Sequence, residues 1–405
     1  RLGANIPVPY VSRDVGTSLN AMFGGSIFGY LNILSGNAFA NATLFALGVN
    51  PYITASIVMQ LLTIAIPALE RLSKEGEEGR KKITSYTRYV TVGLGLITSY
   101  GYAMLLKANN MLVADANTFS IVVIIACYCA GSALVMWLAE KVNDHGIGNG
   151  ISIILFANIV ARGPAYISSI INTITSRTGS VGSLILGIVL AILSVAIFLA
   201  IVLVIVWMND SERRIPVQYA KRVVGRKMYG GQGTNLPLKL NMTGVMPIIF
   251  ASSIVSIPAT IGSFFPNSKF WTGVTNAFNY NTWLYIVIEL ILLVAFAYFY
   301  VAISFNPVEV ANNLKKQGGA IPGIRPGKPT SDYITRVLNR ITLIGAIILA
   351  FICVFPMIVN IISKGNIADL AFSGSSIIIV IGVALETFRD LEAQMSLRNY
   401  KGFLD

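Results

Sequence analysis

The hydrophobic pattern of the chain is a series of long apolar runs separated by polar segments. Nine runs lie at residues 51–67, 89–106, 119–139, 151–171, 181–208, 242–265, 283–305, 341–362 and 375–388. Most approach the ~20 residues that an α-helix needs to cross a bilayer core about 30 Å thick. Residues 1–9 have the character of the end of a further span and a Pro-rich exit. The pattern therefore predicts ten membrane-spanning helices, the first largely missing.

The segment at residues 24–43 is apolar but is not an ordinary span. Glycine or asparagine interrupts it at positions 24, 25, 29, 32, 36, 37 and 41, so the longest helix it predicts is about 27–34. Irregular backbone at membrane depth cannot face lipid, because its amide and carbonyl groups would lack partners. Two placements remain open from this segment alone: a small movable element inside a central cavity, or a loop resting on the outer surface.

Composition restricts the protein class. Hydrophobic residues make up 55% of the chain, charged residues 12%, and the mean hydropathy is +0.70, as in a polytopic membrane protein. The three cysteines, Cys127, Cys129 and Cys353, lie inside apolar runs, and His145 is the single histidine. The sequence thus predicts no disulfide, no metal site and no histidine-based catalysis. No cofactor is expected.

Positive charge follows the alternation of the predicted spans. Of the 30 Lys and Arg residues, 23 fall in the segments 70–88, 140–150, 209–241, 306–340 and 389–405, which all lie on one side if ten spans are counted. Because short cytoplasmic segments carry an excess of Lys and Arg, these segments and the carboxyl terminus are predicted to be cytoplasmic.

Two of these loops, 209–241 and 306–330, are too long to be simple turns. The first contains a β-like stretch at 215–219. In the second, Arg325 stands between two prolines and two glycines in the segment 321–327, which predicts a stiff, projecting tip. Either both loops are solvated positive-inside segments, or they are docking surfaces for an acidic or RNA-containing cytosolic partner.

The predicted spans contain little charge. Glu289 is the one clearly intramembrane charge, and we expect it near the outer interface, neutral, or facing a polar neighbour. An ion-coupled transporter of small solutes, the main alternative function, usually keeps several such groups at the midplane. An intramembrane enzyme would need a catalytic pair that the sequence does not offer. Val49, Ile53 and Ile57, like Ile151 and Leu155, share a helix face at i, i+4, for which ordinary lipid-facing or core packing is the default explanation.

Six motifs occur in order along the chain. They are GVNPYITASI at 48–57, KEGEEGR at 74–80, HGIGNGISI at 145–153, LPLK at 236–239, NNLKK at 312–316 and PGIRPG at 322–327. Together they resemble bacterial members of the SecY family, which form the central subunit of the protein-conducting channel. The resemblance implies an all-α polytopic fold of two inverted, pseudo-symmetric five-helix halves, 1–171 and 181–391, followed by a tail at 392–405.

The resemblance also implies a set of functional positions. The family has a pore ring, here Val49, Ile53, Ile151, Leu155, Ile249 and Ile379. It has an outer plug, here 24–41 with Ile27, Phe28, Tyr30, Leu31, Ile33 and Leu34, and a lateral gate between the second and third and the seventh and eighth spans. Its cytosolic partners dock at positions matching Arg226, Lys227, Gly323 and Arg325.

The function implied is passage of unfolded secretory polypeptides across the membrane and lateral release of transmembrane segments into lipid. The implied partners are the small membrane subunits SecE and SecG, the SecA motor ATPase, the ribosome, preproteins with signal sequences and membrane lipid. DNA is not an implied partner. The implied location is the bacterial plasma membrane. The chain itself is expected not to be an enzyme.

Overall fold

The fold was examined in a computed structural model. It describes residues 2–12, 15, 16, 18, 19, 27–113, 117–165, 167, 168, 171, 181–219, 222–224, 227–229, 233–262, 265, 268–279, 282–362 and 374–401. Helix dominates these residues, and each of the nine full apolar runs contains one. The predicted end of a first span is a single 3₁₀ turn at Leu2–Asn5.

Six helices have defined bounds in the described residues of the amino-terminal part. They are α1 (Ile27–Leu34), α2 (Asn50–Ala65), α3 (Pro67–Lys74), α4 (Glu77–Ala108), α5 (Thr118–His145) and α6 (Gly150–Val160). Helix α1 has the bounds predicted from the sequence. Helices α2 and α3 meet at an angle of 100°. The bend lies at Ile66, which has an extended conformation because Pro67 disfavours helical geometry at the residue before it.

Seven helices follow in the carboxyl-terminal part. They are α7 (Val181–Asp210), α8 (Met246–Gly262), α9 (Lys269–Ala277), α10 (Trp283–Ser304), α11 (Pro307–Lys316), α12 (Lys328–Ile362) and α13 (Gly374–Lys401). By length and composition, five described helices can cross a membrane, or six if the bent α2–α3 pair is one span, and two further apolar helices are shorter. The protein is therefore a multi-pass membrane protein, while the count of ten spans remains a prediction.

The structure corrects the prediction of loops at 70–88 and 306–340, because both segments are largely helical. Glu77 and Glu78 occupy the first turn of α4, where carboxylates favour the positive end of the helix dipole. In α11, the Asn306 side chain accepts hydrogen bonds from the amides of Val308 and Glu309, which caps the helix. These signals are local: the first starts α4 before the apolar run at 89–106, and the second starts α11, a separate polar helix.

A small β-structure in the polar loops accompanies the predicted helical fold. Strands β1 (Glu212–Tyr219), β4 (Gly233–Lys239) and β5 (Gly319–Ala320) form one sheet in the order β4–β1–β5, and β2 (Arg222–Val224) pairs with β3 (Lys227–Tyr229). The β-like stretch predicted at 215–219 is confirmed as part of β1. Both β1 pairings are antiparallel, with Ile215 opposite Leu236 and Gln218 opposite Ala320. The two long loops are thus joined in one sheet.

The early and late helices meet along two seams. Within each group, neighbours pack in series: α2 with α4, α4 with α5, α5 with α6, and then α8 with α10, α10 with α12, α12 with α13. On one side, α8 packs against α2 and α4, and on the other side α13 packs against α6. A buried hydrophobic cluster lies between the seams and receives residues from both groups of helices.

Candidate functional site

The six predicted ring residues converge in the central hydrophobic cluster. Five of them are buried in that cluster, and Ile151 is half-buried and packs against it. They come from α2, α6, α8 and α13, with Val49 at the start of α2 as its N-cap residue. Resemblance alone selected these residues, and the structure places all six in or against one hydrophobic cluster. That they form a pore ring stays a prediction.

The ring lies where several helices begin. Ile53 is in the first turn of α2, Ile151 is in the first turn of α6, and Ile249 is in the first turn of α8. Helix α6 has 11 residues, a length of about 16 Å at 1.5 Å per residue, which is much less than a bilayer. All six predicted ring side chains are aliphatic. Their arrangement as a pore constriction stays a prediction.

The end of α1 contacts the same cluster. Leu34 is 5% exposed and belongs to it, and Ile33 packs against it. Leu31 is half-buried. The side chains of the other predicted plug residues, Ile27, Phe28 and Tyr30, lie outside the described residues. Helix α1 also packs against α6, so the predicted cavity placement is favoured over an outer surface loop.

The chain that follows α1 is firmly held by a second hydrophobic cluster. Phe39, Ala42 and Leu47 are buried there with residues of α4 and α5. Tyr102 of α4 donates a hydrogen bond to the carbonyl of Phe39, and Tyr128 of α5 donates one to the carbonyl of Ala42 at 3.2 Å. Helix α1 is therefore a short element attached to a fixed base.

Across the seam formed by α2, α4, α8 and α10, one hydrogen bond joins the two groups of helices. The hydroxyl of Tyr300 in α10 donates to Oε1 of Gln60 in α2 at 2.8 Å. Tyr300 also makes an edge contact with Phe250 of α8, with ring centroids 5.1 Å apart.

The two long polar loops form one folded platform. Ile215 and Val217 of β1, Leu238 of β4, and Leu314, Ile321 and Ile334 share a small core. Arg325 is exposed at the end of this platform. Gly323 and Gly327 have φ of +81° and +106°, which only glycine adopts readily, and the Thr330 hydroxyl donates to the Arg325 carbonyl at 2.9 Å. The structure therefore shows the predicted exposed turn, and its stiffness stays a prediction.

Of the other predicted docking residues, Lys227 begins β3, although its side chain lies outside the described part of the chain. Arg226 also falls outside it. The structure thus places Gly323 and Arg325 together and leaves the relation of Arg226 and Lys227 to them a prediction.

Glu289 is buried between α10 and α12 and does not face lipid. It is 1% exposed, and its Oε1 lies 3.6 Å from the Cys353 thiol. Among the described residues, its Oε2 has no hydrogen-bond partner. The expectation of a polar neighbour is confirmed, and that neighbour is a thiol rather than a counter-ion.

Comparison with known proteins decides the family. A family model described as SecY matches residues 43–388. The protein translocase subunit SecY of Streptomyces galbus is 43% identical over 417 residues, an alignment that covers 100% of this chain and 93% of that protein. The chain belongs to the SecY family. The small-solute transporter considered from composition is thereby disfavoured.

Solved structures share the fold of this SecY-family chain at low sequence identity. A structure described as a protein conducting channel gives a TM-score of 0.63 at 16% identity and covers 96% of this chain and 94% of its own. A structure from a study of the plug domain of the SecY protein gives a TM-score of 0.59 at 17% identity. Sec61 in a canine ribosome-channel complex gives 0.60 at 14%. The last two have the same coverage, 96% and 94%.

Sequence reasoning missed two polar residues within the apolar spans. Gln60 takes part in the seam hydrogen bond, and Asn158 of α6 donates to the Leu34 carbonyl at the end of α1 at 2.9 Å. The available signal was an amide side chain inside an otherwise apolar run. Only ionisable residues were searched for in the spans, so this signal went unused.

Proposed function

We propose that this chain is the pore subunit of a protein translocase, which passes unfolded secretory polypeptides across the membrane and releases transmembrane segments sideways into lipid. The observation that carries the proposal is the convergence of six aliphatic side chains from four helices, closed by the end of α1. The channel is passive, because the sequence offers no nucleotide-binding motif.

The ring is the seal of this channel. Six aliphatic groups form a flexible constriction that excludes water when it is empty, as hydrophobic gates do. They offer no hydrogen bonds that would retain a polar chain, so polypeptides of any sequence can slide through. Residues 24–41 form the plug segment, in which α1 is the part that moves and the residues after Leu34 are its anchored base.

The seam between α2, α4, α8 and α10 is the lateral gate. A transmembrane segment that reaches the ring can leave between these helices, and its transfer to lipid is favoured by roughly 25 cal/mol per Å² of apolar surface removed from water. The Tyr300–Gln60 bond must break for this exit.

The platform around Arg325 docks the cytosolic driver, either the SecA motor or a translating ribosome. Its guanidinium can make paired bonds with a carboxylate or phosphate, and the rigid turn keeps it extended. Arg226 and Lys227 add positive charge from the first long loop. Because the pore is passive, the energy for transport comes from this partner, from translation or from the membrane potential.

SecE and SecG are the membrane partners, and the bacterial plasma membrane is the location, with the basic loops and the carboxyl terminus in the cytoplasm. The exposed surface of α7 supports this assembly, since only 12% of its apolar 18-residue stretch is buried within the chain. Lipid and small single-span subunits are the partners that such a surface suits.

Disulfide crosslinking tests the path of the polypeptide. The three native cysteines, Cys127, Cys129 and Cys353, are first replaced by serine. A secretory polypeptide with a single cysteine is then stalled during motor-driven import into vesicles that carry the channel with Ile379→Cys or, as control, Leu203→Cys. Leu203 is 70% exposed on α7, away from the ring. Crosslinks are expected at position 379 only. Transport without a crosslink at any ring position would overturn the proposal.

A further inference from the structure

A turn closes the carboxyl end of α1 and uses most of its free backbone carbonyls. The Gly36 amide donates to the Ile33 carbonyl at 3.1 Å, and the Asn37 amide donates to the Asn32 carbonyl at 3.0 Å. Gly36 has φ of +65°. These two bonds around a left-handed glycine form a Schellman motif. The motif does not use the Leu34 carbonyl.

Asn158 of α6 takes up the Leu34 carbonyl. Its Nδ2 donates to that oxygen at 2.9 Å. The turn also rests on this residue, because a Cβ atom built on Gly36 would lie 3.4 Å from the Asn158 Cβ atom. Asn158 stands one helical turn from the ring residue Leu155 and next to Ile159, and both of these are buried in the ring cluster. One amide therefore joins the end of α1 to a ring helix.

Beyond the turn, the chain cannot follow α1 if α1 moves. The Asn32 Oδ1 atom accepts a hydrogen bond from the Ala40 amide at 2.9 Å, and Ser35 Oγ accepts one from the Phe39 amide at 3.0 Å. The Phe39 and Ala42 carbonyls are held by tyrosines of α4 and α5. Because Asn32 is part of α1 and the base stays fixed, a movement of α1 must break the Asn32–Ala40 bond as well as the Asn158–Leu34 bond.

We propose that Asn158 is a positioning residue that holds α1 against the ring in the closed channel. The inference rests on the proposed function, since a latch matters only if α1 is a movable plug. Opening separates the Asn158 amide from the Leu34 carbonyl. The bond thereby raises the proportion of closed channels without taking part in passage of the polypeptide.

Ion leak from vesicles without a motor tests the latch. Asn158→Leu keeps the approximate side-chain size and removes the amide, and Asn158→Ala removes it without adding a branched group. Each is expected to raise the leak about tenfold, which corresponds to ~1.4 kcal/mol in the closed-to-open ratio. Asn109→Leu is the matched control, because Asn109 Nδ2 also donates to a leucine carbonyl at 2.9 Å, that of Leu105, at the end of α4. It is expected to leave the leak unchanged.

Combination with a deletion of residues 27–34 separates a latch from general loosening of the protein. If Asn158 acts through α1, Asn158→Leu adds no leak in the deletion background, although it does so in the full chain. Equal increases in both backgrounds, or no increase in the full chain, would overturn the latch and leave the plug intact. A deletion variant that inserts but does not leak would instead overturn the plug, and the latch with it.

Discussion

The ring and the Arg325 platform are both proposed to contact other proteins, but their surfaces differ in chemistry. The ring consists of six aliphatic side chains brought together from four helices, and it offers no hydrogen-bonding side chain of its own. The platform is a sheet-backed turn that presents one exposed guanidinium between two glycines in left-handed conformations. Under the proposed function, the first surface accepts polypeptides of any sequence, and the second docks a cytosolic driver.

This difference assigns sealing of the pore to the ring and coupling to motor-driven transport to the platform. Substitutions at the ring or the plug should change the passive leak, since they alter a barrier to water and ions. Substitutions at the platform should change motor-driven transport and leave the leak alone. The passive leak and motor-driven transport should therefore change independently of each other.

Deletion of residues 27–34 is expected to have the largest effect on the leak. With α1 removed, the ring loses Leu34 and Ile33 from its packing, and the empty pore should conduct ions in planar bilayers far above the level of the intact channel. The base at 35–49 is anchored separately, so the variant should insert normally. Normal insertion with no added conductance would mean that α1 is not a plug.

Arg325→Glu should abolish most driven transport without a leak. Truncation or reversal of a charge in a close ion pair costs roughly 2–5 kcal/mol, or about 30-fold or more in binding. Arg325→Lys should be intermediate, since lysine cannot copy the paired bonds of a guanidinium. The rate of preprotein import into vesicles with purified motor is the measurement.

Lys328→Glu serves as the matched control for Arg325. It reverses an exposed charge three residues away at the start of α12. If both reversals slow import equally, the loop contributes only general positive charge. Import at the wild-type rate in Arg325→Glu would leave the loop as ordinary positive-inside sequence.

Tyr300→Phe should have the smallest effect and should act on lateral release. It removes the hydroxyl that donates to Gln60 and keeps the aromatic ring of residue 300 packed against Phe250. Side-chain hydrogen bonds within membranes contribute ~0.6 kcal/mol on average, so the threshold hydrophobicity for membrane insertion should shift by about two- to threefold in partition ratio. A series of test segments of graded hydrophobicity measures the shift. An unchanged insertion threshold would place the bond outside the gating step.

Local signals in the sequence were sufficient for most of the helices. Apolar runs located nine helices, and glycine and asparagine spacing limited α1 to residues 27–34. Helices α3 and α11 were missed because they are charged and short, and their caps were not weighed against the polarity of the segment. The proline and glycine pattern around Arg325 correctly predicted an exposed turn, since its geometry depends on neighbouring residues.

Long-range pairing was the part that the sequence could not supply. The Gln218–Ala320 pairing joins two loops about a hundred residues apart, and β5 is only two residues long. The Asn158–Leu34 and Tyr300–Gln60 bonds likewise join separate helices. A single amide in an apolar run indicates that a partner exists, but the partner follows only from how the helices pack. The ring was found through family resemblance for the same reason.

Conductance of channels with Ile249→Asn tests the central claim most directly. Ile249 is buried in the ring cluster, and Ile249→Leu is the control that changes shape while keeping the site apolar. A polar side chain should wet the constriction and favour the open state, so Ile249→Asn should leak ions and import preproteins with defective signal sequences more efficiently. Ile249→Leu should do neither. Wild-type conductance in Ile249→Asn, with normal expression and insertion, would contradict a hydrophobic seal at this ring.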